Sequence, residues 1–145
     1  MGSENIPIID GDGHVMEDWD AILDFMPEPY QRGRLRGRRL FPPLDHLHSA
    51  RLNLSLPGAF RQVNPDQWLE FMNDTGIERA VLYTTGGLAI GKIINHEFCI
   101  DVARAYNDWL YHTYVHKDER FLGVGLIPMQ VPDEAVKELR RVVEE

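Results

Sequence analysis

The stretch Ile8-Ile9-Asp10-Gly11-Asp12-Gly13-His14-Val15 joins an apolar, β-branched start to three ionisable side chains. β-branched residues favour strands, and residues 6–15 are predicted to form the first buried strand of the fold. Side chains of a strand alternate between its two faces, so Asp10, Asp12 and His14 are expected on one face. Because ionisable groups are costly to bury without partners, we expect them at the mouth of a site, near the carboxyl end of the strand.

Helices and strands alternate along the rest of the chain. Asn64-Pro65-Asp66-Gln67 is a helix start, with a capping residue before a proline at the first helical position. The second strand is predicted over residues 80–84, a helix over 95–114 and a third strand over 121–127. A last helix begins at Pro132, and its buried side is predicted to be formed by Val136, Leu139, Val142 and Val143. This order predicts an α/β fold with a parallel sheet.

The region between the first two strands is irregular in sequence. A short helix is predicted over residues 19–26, and residues 27–64 then lack any period, which is typical of a long functional loop over a site. This loop carries a basic cluster, which consists of Arg32, Arg34, Arg36, Arg38 and Arg39. The cluster is either a solvated face or a docking surface for a substrate carboxylate or a neighbouring subunit. His46 and His48 have ligand-like spacing, and are expected to be solvated or to contact substrate from the loop.

Composition restricts the class of protein. The chain has 145 residues and a formal net charge of -8, which argues against nucleic acid or an anionic membrane surface as a partner. No apolar run approaches the roughly 20 residues of a membrane-spanning helix. Cys99 is the single cysteine, so neither a disulfide framework nor a cysteine-based zinc site is expected. We therefore expect a soluble cytoplasmic protein in a reducing compartment.

The opening stretch resembles two families of enzymes. Asp10-Gly11-Asp12-Gly13 matches the start of the motif Asp-x-Asp-Gly-Thr of haloacid dehalogenase-like phosphotransferases, with His14 in place of the threonine. That resemblance implies Asp10 as nucleophile, Asp12 as general acid and a bound Mg²⁺. Thr84 or Thr85 would then occupy the phosphate-binding position.

Asp12-Gly13-His14 also resembles the His-x-His end of the first strand in the amidohydrolase superfamily, in which many members carry a carboxylate in place of the first histidine. The similarity is to the branch that looks like aminocarboxymuconate-semialdehyde decarboxylase. Further segments resemble this branch in the same order, and these are residues 76–83, 105–110, 120–130 and 134–139. Because several separate segments agree, and cover most of the chain outside residues 27–64, we favour this family over the phosphotransferases.

The amidohydrolase resemblance implies a (β/α)8 TIM barrel, of which residues 1–145 would be the first three βα units. It implies that Asp12 and His14 ligate a divalent metal, with Zn²⁺ preferred and Mn²⁺ as the alternative. The expected enzyme is a metal-dependent lyase, with nonoxidative decarboxylation as the first choice, or a hydrolase, acting on a small carboxylated or cyclic substrate. Its catalytic residues are expected beyond residue 145, so residues 1–145 alone are expected to be inactive or nearly so.

Other interpretations of these residues remain open. Asp12 and His14 are alternatively a hydrogen-bonded polar pair that closes a strand, and Asp10 is expected to support the strand or a neighbouring ligand. Glu17 is expected either to reach the site or to cap the next turn, and Thr84 to line the pocket. A further hypothesis, from a different functional class, is a noncatalytic fragment that needs a partner chain to complete its sheet. A homo-oligomer is also compatible with the sequence.

Overall fold

A small parallel sheet with flanking helices forms the part of the chain that the computed structural model describes, residues 6–31, 33, 35–44 and 61–144. Its elements are β1 (Ile8–Val15), α1 (Trp19–Leu23), α2 (Pro65–Thr75), β2 (Ile77–Thr84), a 3₁₀ helix (Gly86–Lys92), α3 (His96–Leu110), a π-helical segment (Tyr111–Val115), β3 (Phe121–Gly123) and α4 (Pro132–Glu144). The strand order is β1-β2-β3, and both neighbouring pairs are parallel. The predicted α/β class and parallel sheet are confirmed, whereas the barrel stays a prediction.

Alternate residues of β2 join α3 in one buried cluster. Ala80 and Leu82 of β2 have no exposed surface, and the same holds for Cys99, Val102 and Tyr106 of α3. Burying one large apolar side chain contributes about 1.5–3 kcal/mol, so this layer is a main source of stability. Cys99 is a core residue with no exposed surface, and burial raises the pKa of its thiol. No helix within the described residues is long and apolar enough to cross a membrane.

The start of α2 agrees with the sequence prediction. The side chain of Asn64 accepts a hydrogen bond from Gln67 N at 2.9 Å, and the Gln67 side chain accepts one from Asn64 N at 3.1 Å. Gly76 ends the helix in the left-handed region, with a φ of 75°. The chain then enters β2 at Ile77, three residues earlier than predicted. α1 is shorter than predicted, because tighter turns follow it at Phe25 and Met26.

The third strand is much shorter than the predicted range 121–127. Regular pairing covers Phe121–Gly123, and one more bond joins Val124 N to Leu82 O at 3.0 Å. The side chain of Asn107 on α3 then forms hydrogen bonds with both backbone groups of Leu126. It accepts from the N–H at 2.7 Å and donates to the carbonyl oxygen at 2.9 Å. A side-chain amide therefore replaces the strand partner, which an apolar run in the sequence does not reveal.

The predicted buried side of α4 is wrong for all of its residues except Val142, which is half-buried. Val136 and Leu139 are each 50% exposed, whereas Glu138 is 1% exposed. Glu138 is bonded to Asn107 at 2.7 Å and to Arg141 at 2.7 and 2.9 Å. Burial raises the pKa of Glu138, but these bonds and the nearby guanidinium groups together hold it below its usual value. The charged network, rather than the valine and leucine stripe, attaches α4 to α3.

Asn107→Ala should lower the free energy of unfolding by about 3 kcal/mol, because it leaves both backbone groups of Leu126 without this partner and removes one of the hydrogen bonds of the buried Glu138 carboxylate. Urea denaturation measures the change. Asn73→Ala is the matched control, because Asn73 is exposed and only accepts from Arg120. It should shift stability by less than about 0.5 kcal/mol. Equal losses in the two variants would contradict the role given to Asn107.

Candidate functional site

The predicted alternation of β1 is interrupted by a bulge. Asp10 pairs with Ala80 and Gly13 pairs with Leu82, so three steps along β1 match two along β2. Because of the bulge, the side chains of Asp10 and His14 lie on opposite faces of the sheet. The expectation that Asp10 shares one face with Asp12 and His14 is therefore wrong. Asp10 instead accepts a hydrogen bond from the backbone N–H of Asp12 at 3.0 Å, which stabilises the bulged backbone.

Gly13 allows the bulged strand to approach β2 closely. A Cβ at this position would lie 2.9 Å from the carbonyl oxygen of Val81 and 3.3 Å from the ring of Trp68. The next residue, His14, pairs with Tyr83, whose ring centroid lies 5.9 Å from that of the imidazole. Since Leu82 faces the buried cluster, His14 and Tyr83 occupy the opposite face of the sheet.

Asp12 and His14 come together at the carboxyl end of β1. The distance from His14 Nε2 to Asp12 Oδ1 is 3.5 Å, and the side chains are 38% and 91% exposed, respectively. Two donors that are each about 2.0–2.2 Å from a tetrahedral zinc ion lie roughly 3.3–3.6 Å apart. The pair therefore has the chemistry and spacing of two ligands of one cation. Within the described ranges, no group of three His, Cys, Asp or Glu side chains is placed to hold an ion.

Glu17 is buried next to this pair, and it is bound by the end of β2. Its carboxylate accepts from the Thr84 hydroxyl and from three consecutive backbone N–H groups, those of Thr85 at 3.0 Å, Gly86 at 2.8 Å and Gly87 at 3.0 Å. These N–H groups begin the 3₁₀ helix, so a negative side chain is favoured there. Glu17 therefore caps the turn after β2, and the expectation that it caps the turn following it in sequence is wrong. The N-cap of α1 is Asp18.

The two glycines that bind Glu17 are required by close packing. A Cβ at Gly86 would overlap the ring of Trp19, and a Cβ at Gly87 would overlap the hydroxyl of Thr84. The pair Gly86-Gly87 in the sequence thus indicates where a backbone cradle forms, although nothing in the sequence indicates that Glu17 fills it. Thr84, predicted to line the pocket, is 4% exposed and forms part of this cradle instead.

The charge of Glu17 also acts on two tyrosines in the core. Burial, followed by the charge of Glu17, raises the pKa of Tyr106 above its ordinary value. Burial and the charges of Asp18 and Glu17 raise the pKa of Tyr114 to about 12. Both phenols therefore stay neutral at physiological pH, and the hydroxyl of Tyr114 donates to Val63 O at 2.6 Å.

Thr85 connects the cradle to the imidazole. Its hydroxyl lies 2.8 Å from the carbonyl oxygen of Val15, to which it donates, and 3.4 Å from His14 Nδ1. Thr85 also lines a cavity of about 90 Å³ beside the ends of β1 and β2. The other lining residues include Trp19, Arg39, Phe41, Pro42 and Leu44. The lining of the cavity is largely apolar, and Arg39 contributes a positively charged side chain to it.

The segment over this cavity is held by side chains at both ends. Arg36 pairs with Asp24, and Gly37 N donates to Asp20 Oδ1 at 2.8 Å. Lys92 donates to the carbonyl oxygen of Leu44. The described residues of the predicted loop 27–64 contain turns but neither helix nor strand. Arg32, Arg34, His46 and His48 lie outside the described residues.

Comparison with known proteins identifies relatives of the chain. It is 38% identical to gamma-resorcylate decarboxylase of Rhodococcus jostii over 80 residues, which cover 55% of this chain and 24% of that protein. It is 27% identical to 2-amino-3-carboxymuconate-6-semialdehyde decarboxylase of Dictyostelium discoideum, over 69% of this chain and 29% of that protein. No protein-family model matches the chain. The chain thus spans about a quarter of the length of these curated relatives.

Solved structures show the same fold. An amidohydrolase from Mycobacterium avium subsp. paratuberculosis matches with a TM-score of 0.68 and 18% identity, over 98% of this chain and 48% of that one. The 2,6-dihydroxybenzoate decarboxylase from Rhizobium matches with a TM-score of 0.57 and 25% identity, over 96% of this chain and 35% of that one. The relatives in sequence are decarboxylases, and one of them is the aminocarboxymuconate-semialdehyde decarboxylase after which the predicted branch is described, which confirms the resemblance found in the sequence. The phosphotransferase alternative is not favoured.

Glu17→Gln should lower the free energy of unfolding by about 2 kcal/mol, because a neutral amide oxygen accepts more weakly than a carboxylate and the new NH₂ group faces Gly86 N, which lies 3.0 Å from Oε2. Amide hydrogen exchange at Gly86 and Gly87 should accelerate in the same variant. Denaturation and exchange measured by mass spectrometry test both effects. Glu78→Gln is the control, since Glu78 is exposed on β2. Unchanged exchange at the two glycines would show that Glu17 does not hold this turn.

Proposed function

We propose that the protein acts as a metal-dependent decarboxylase of the amidohydrolase type, in which Asp12 and His14 supply two ligands to a divalent cation. The observation that carries the proposal is the 3.5 Å spacing of His14 Nε2 and Asp12 Oδ1 at the carboxyl end of β1. Active sites of (β/α)8 enzymes lie at this end of the strands. Imidazole and carboxylate together suit Zn²⁺, and Mn²⁺ is the alternative.

The metal would supply Lewis-acid chemistry toward a substrate oxygen. The residues of this chain would bind and orient the substrate beside it. Arg39 lines the cavity, and a guanidinium suits a carboxylate. Trp19 and Phe41, whose rings pack edge to face with centroids 5.8 Å apart, provide one apolar surface for a substrate ring. We therefore propose a small cyclic carboxylic acid as the substrate class.

The remaining parts of the site are proposed to lie outside these 145 residues. The chain spans about a quarter of the decarboxylases to which it is similar, and two ligands do not make a tight catalytic site. Residues 1–145 alone are therefore proposed to be inactive or nearly so. We also propose that the protein is cytoplasmic. Hydrolysis is the alternative to decarboxylation as the proposed reaction.

Release of CO₂ from 2,6-dihydroxybenzoate by the full-length protein tests the proposed reaction. We expect turnover that a chelator removes and that Zn²⁺ or Mn²⁺ restores, and His14→Ala should lower it by at least about 100-fold, because a lost ligand weakens the metal site. His96→Ala is the matched control, since His96 is exposed at the start of α3. Chelator-resistant turnover would contradict metal dependence. An absence of turnover on all small cyclic carboxylic acids tested would contradict the decarboxylase.

A further inference from the structure

We propose that Thr85 is a positioning residue, which favours protonation of His14 at Nδ1 and so leaves the Nε2 lone pair facing Asp12. The inference rests on the proposed metal site for its functional meaning, but its physical basis is the geometry of one hydroxyl group. A threonine hydroxyl has one hydrogen to donate. The Thr85 hydroxyl lies 2.8 Å from Val15 O, a carbonyl that can only accept.

The hydroxyl can therefore only accept from the imidazole. Its oxygen lies 3.4 Å from His14 Nδ1, so the contact is favourable when that nitrogen carries the proton. A neutral imidazole has one N–H, and the opposite nitrogen then keeps its lone pair. The nitrogen left unprotonated is Nε2, which is the atom nearest to Asp12.

Asp12 favours the opposite tautomer of His14, with the proton on Nε2. Its carboxylate, 3.5 Å from Nε2, favours a proton on that nitrogen as long as no cation is bound. The side chain of Asp12 is 91% exposed, so solvent screens the charge of its carboxylate, whereas Thr85 is held in place by its bonds to Val15 O and Glu17. The two contacts compete for one proton, and a cation between Asp12 and His14 would remove the competition, because it replaces the proton on Nε2.

The position of Thr85 itself is fixed by two independent contacts. Its backbone N–H donates to Glu17 at 3.0 Å, and its hydroxyl is bound to the end of β1. The buried Glu17 thus holds, through one intermediate residue, the group that orients the imidazole. Partners of this kind typically change metal affinity by about 10- to 100-fold when removed.

The experiment is long-range ¹H–¹⁵N NMR of the histidine rings in the purified protein, with the His14 signals assigned by their loss in His14→Gln. Thr85→Val removes the hydroxyl and keeps the side-chain volume, while Thr85→Ser keeps the hydroxyl. We expect the fraction of His14 protonated at Nδ1 to fall in Thr85→Val and to be retained in Thr85→Ser. Thr75→Val, at the exposed end of α2, controls for a general effect of losing a hydroxyl.

Zn²⁺ titration of the same variants by calorimetry gives a second readout. Affinity should fall by about 10-fold in Thr85→Val and stay near wild type in Thr85→Ser. An unchanged tautomer in Thr85→Val overturns the inference, even if the wild type binds Zn²⁺ through His14. A shifted tautomer in a protein that does not bind Zn²⁺ supports the positioning role and overturns the proposed metal site instead. If Thr85→Val does not fold, the NMR spectrum of the wild-type protein tests the inference instead. A His14 ring that is protonated only at Nε2 in that spectrum overturns it.

Discussion

The site depends on the buried carboxylate of Glu17, which joins the ends of β1 and β2. Four donors converge on it, and three of them are consecutive backbone N–H groups at the start of the 3₁₀ helix. A carboxylate buried without these donors would be costly, and so would the N–H groups without the carboxylate. The interaction therefore fixes the turn after β2 in one position, and with it the hydroxyl of Thr85 beside His14.

The bulge in β1 is the second constraint, and it determines which acidic residue faces the imidazole. A regular strand would place Asp10 on the face of His14. The extra residue between Asp10 and Gly13 turns Asp10 to the backbone of Asp12 and leaves Asp12 next to the ring. Bulges are frequent beside active sites because they redirect a side chain without ending the strand. The bulge and the Glu17 cradle together give the end of β1 its polar surface.

Much of this arrangement could be predicted from local sequence. Capping at Asn64, the turn at Gly76 and the alternation of helices and strands follow from short-range rules, and they led to the correct class. The bulge, the cradle of Glu17 and the Asn107 bonds to Leu126 could not be predicted. The Glu17 and Asn107 bonds join a side chain to backbone groups distant in sequence, and the bulge is a matter of the register of β1 against β2; hydrophobic periodicity contains no information on either.

Anomalous diffraction from crystals of the full-length protein grown with Zn²⁺ tests the central claim most directly. The account predicts a single strong peak within about 2.0–2.2 Å of both His14 Nε2 and a carboxylate oxygen of Asp12. It also predicts that Asp10 remains bonded to the backbone of Asp12 and makes no contact with the ion. A peak ligated by Asp10 and Asp12 without His14, or the lack of any peak at the end of β1, would contradict it.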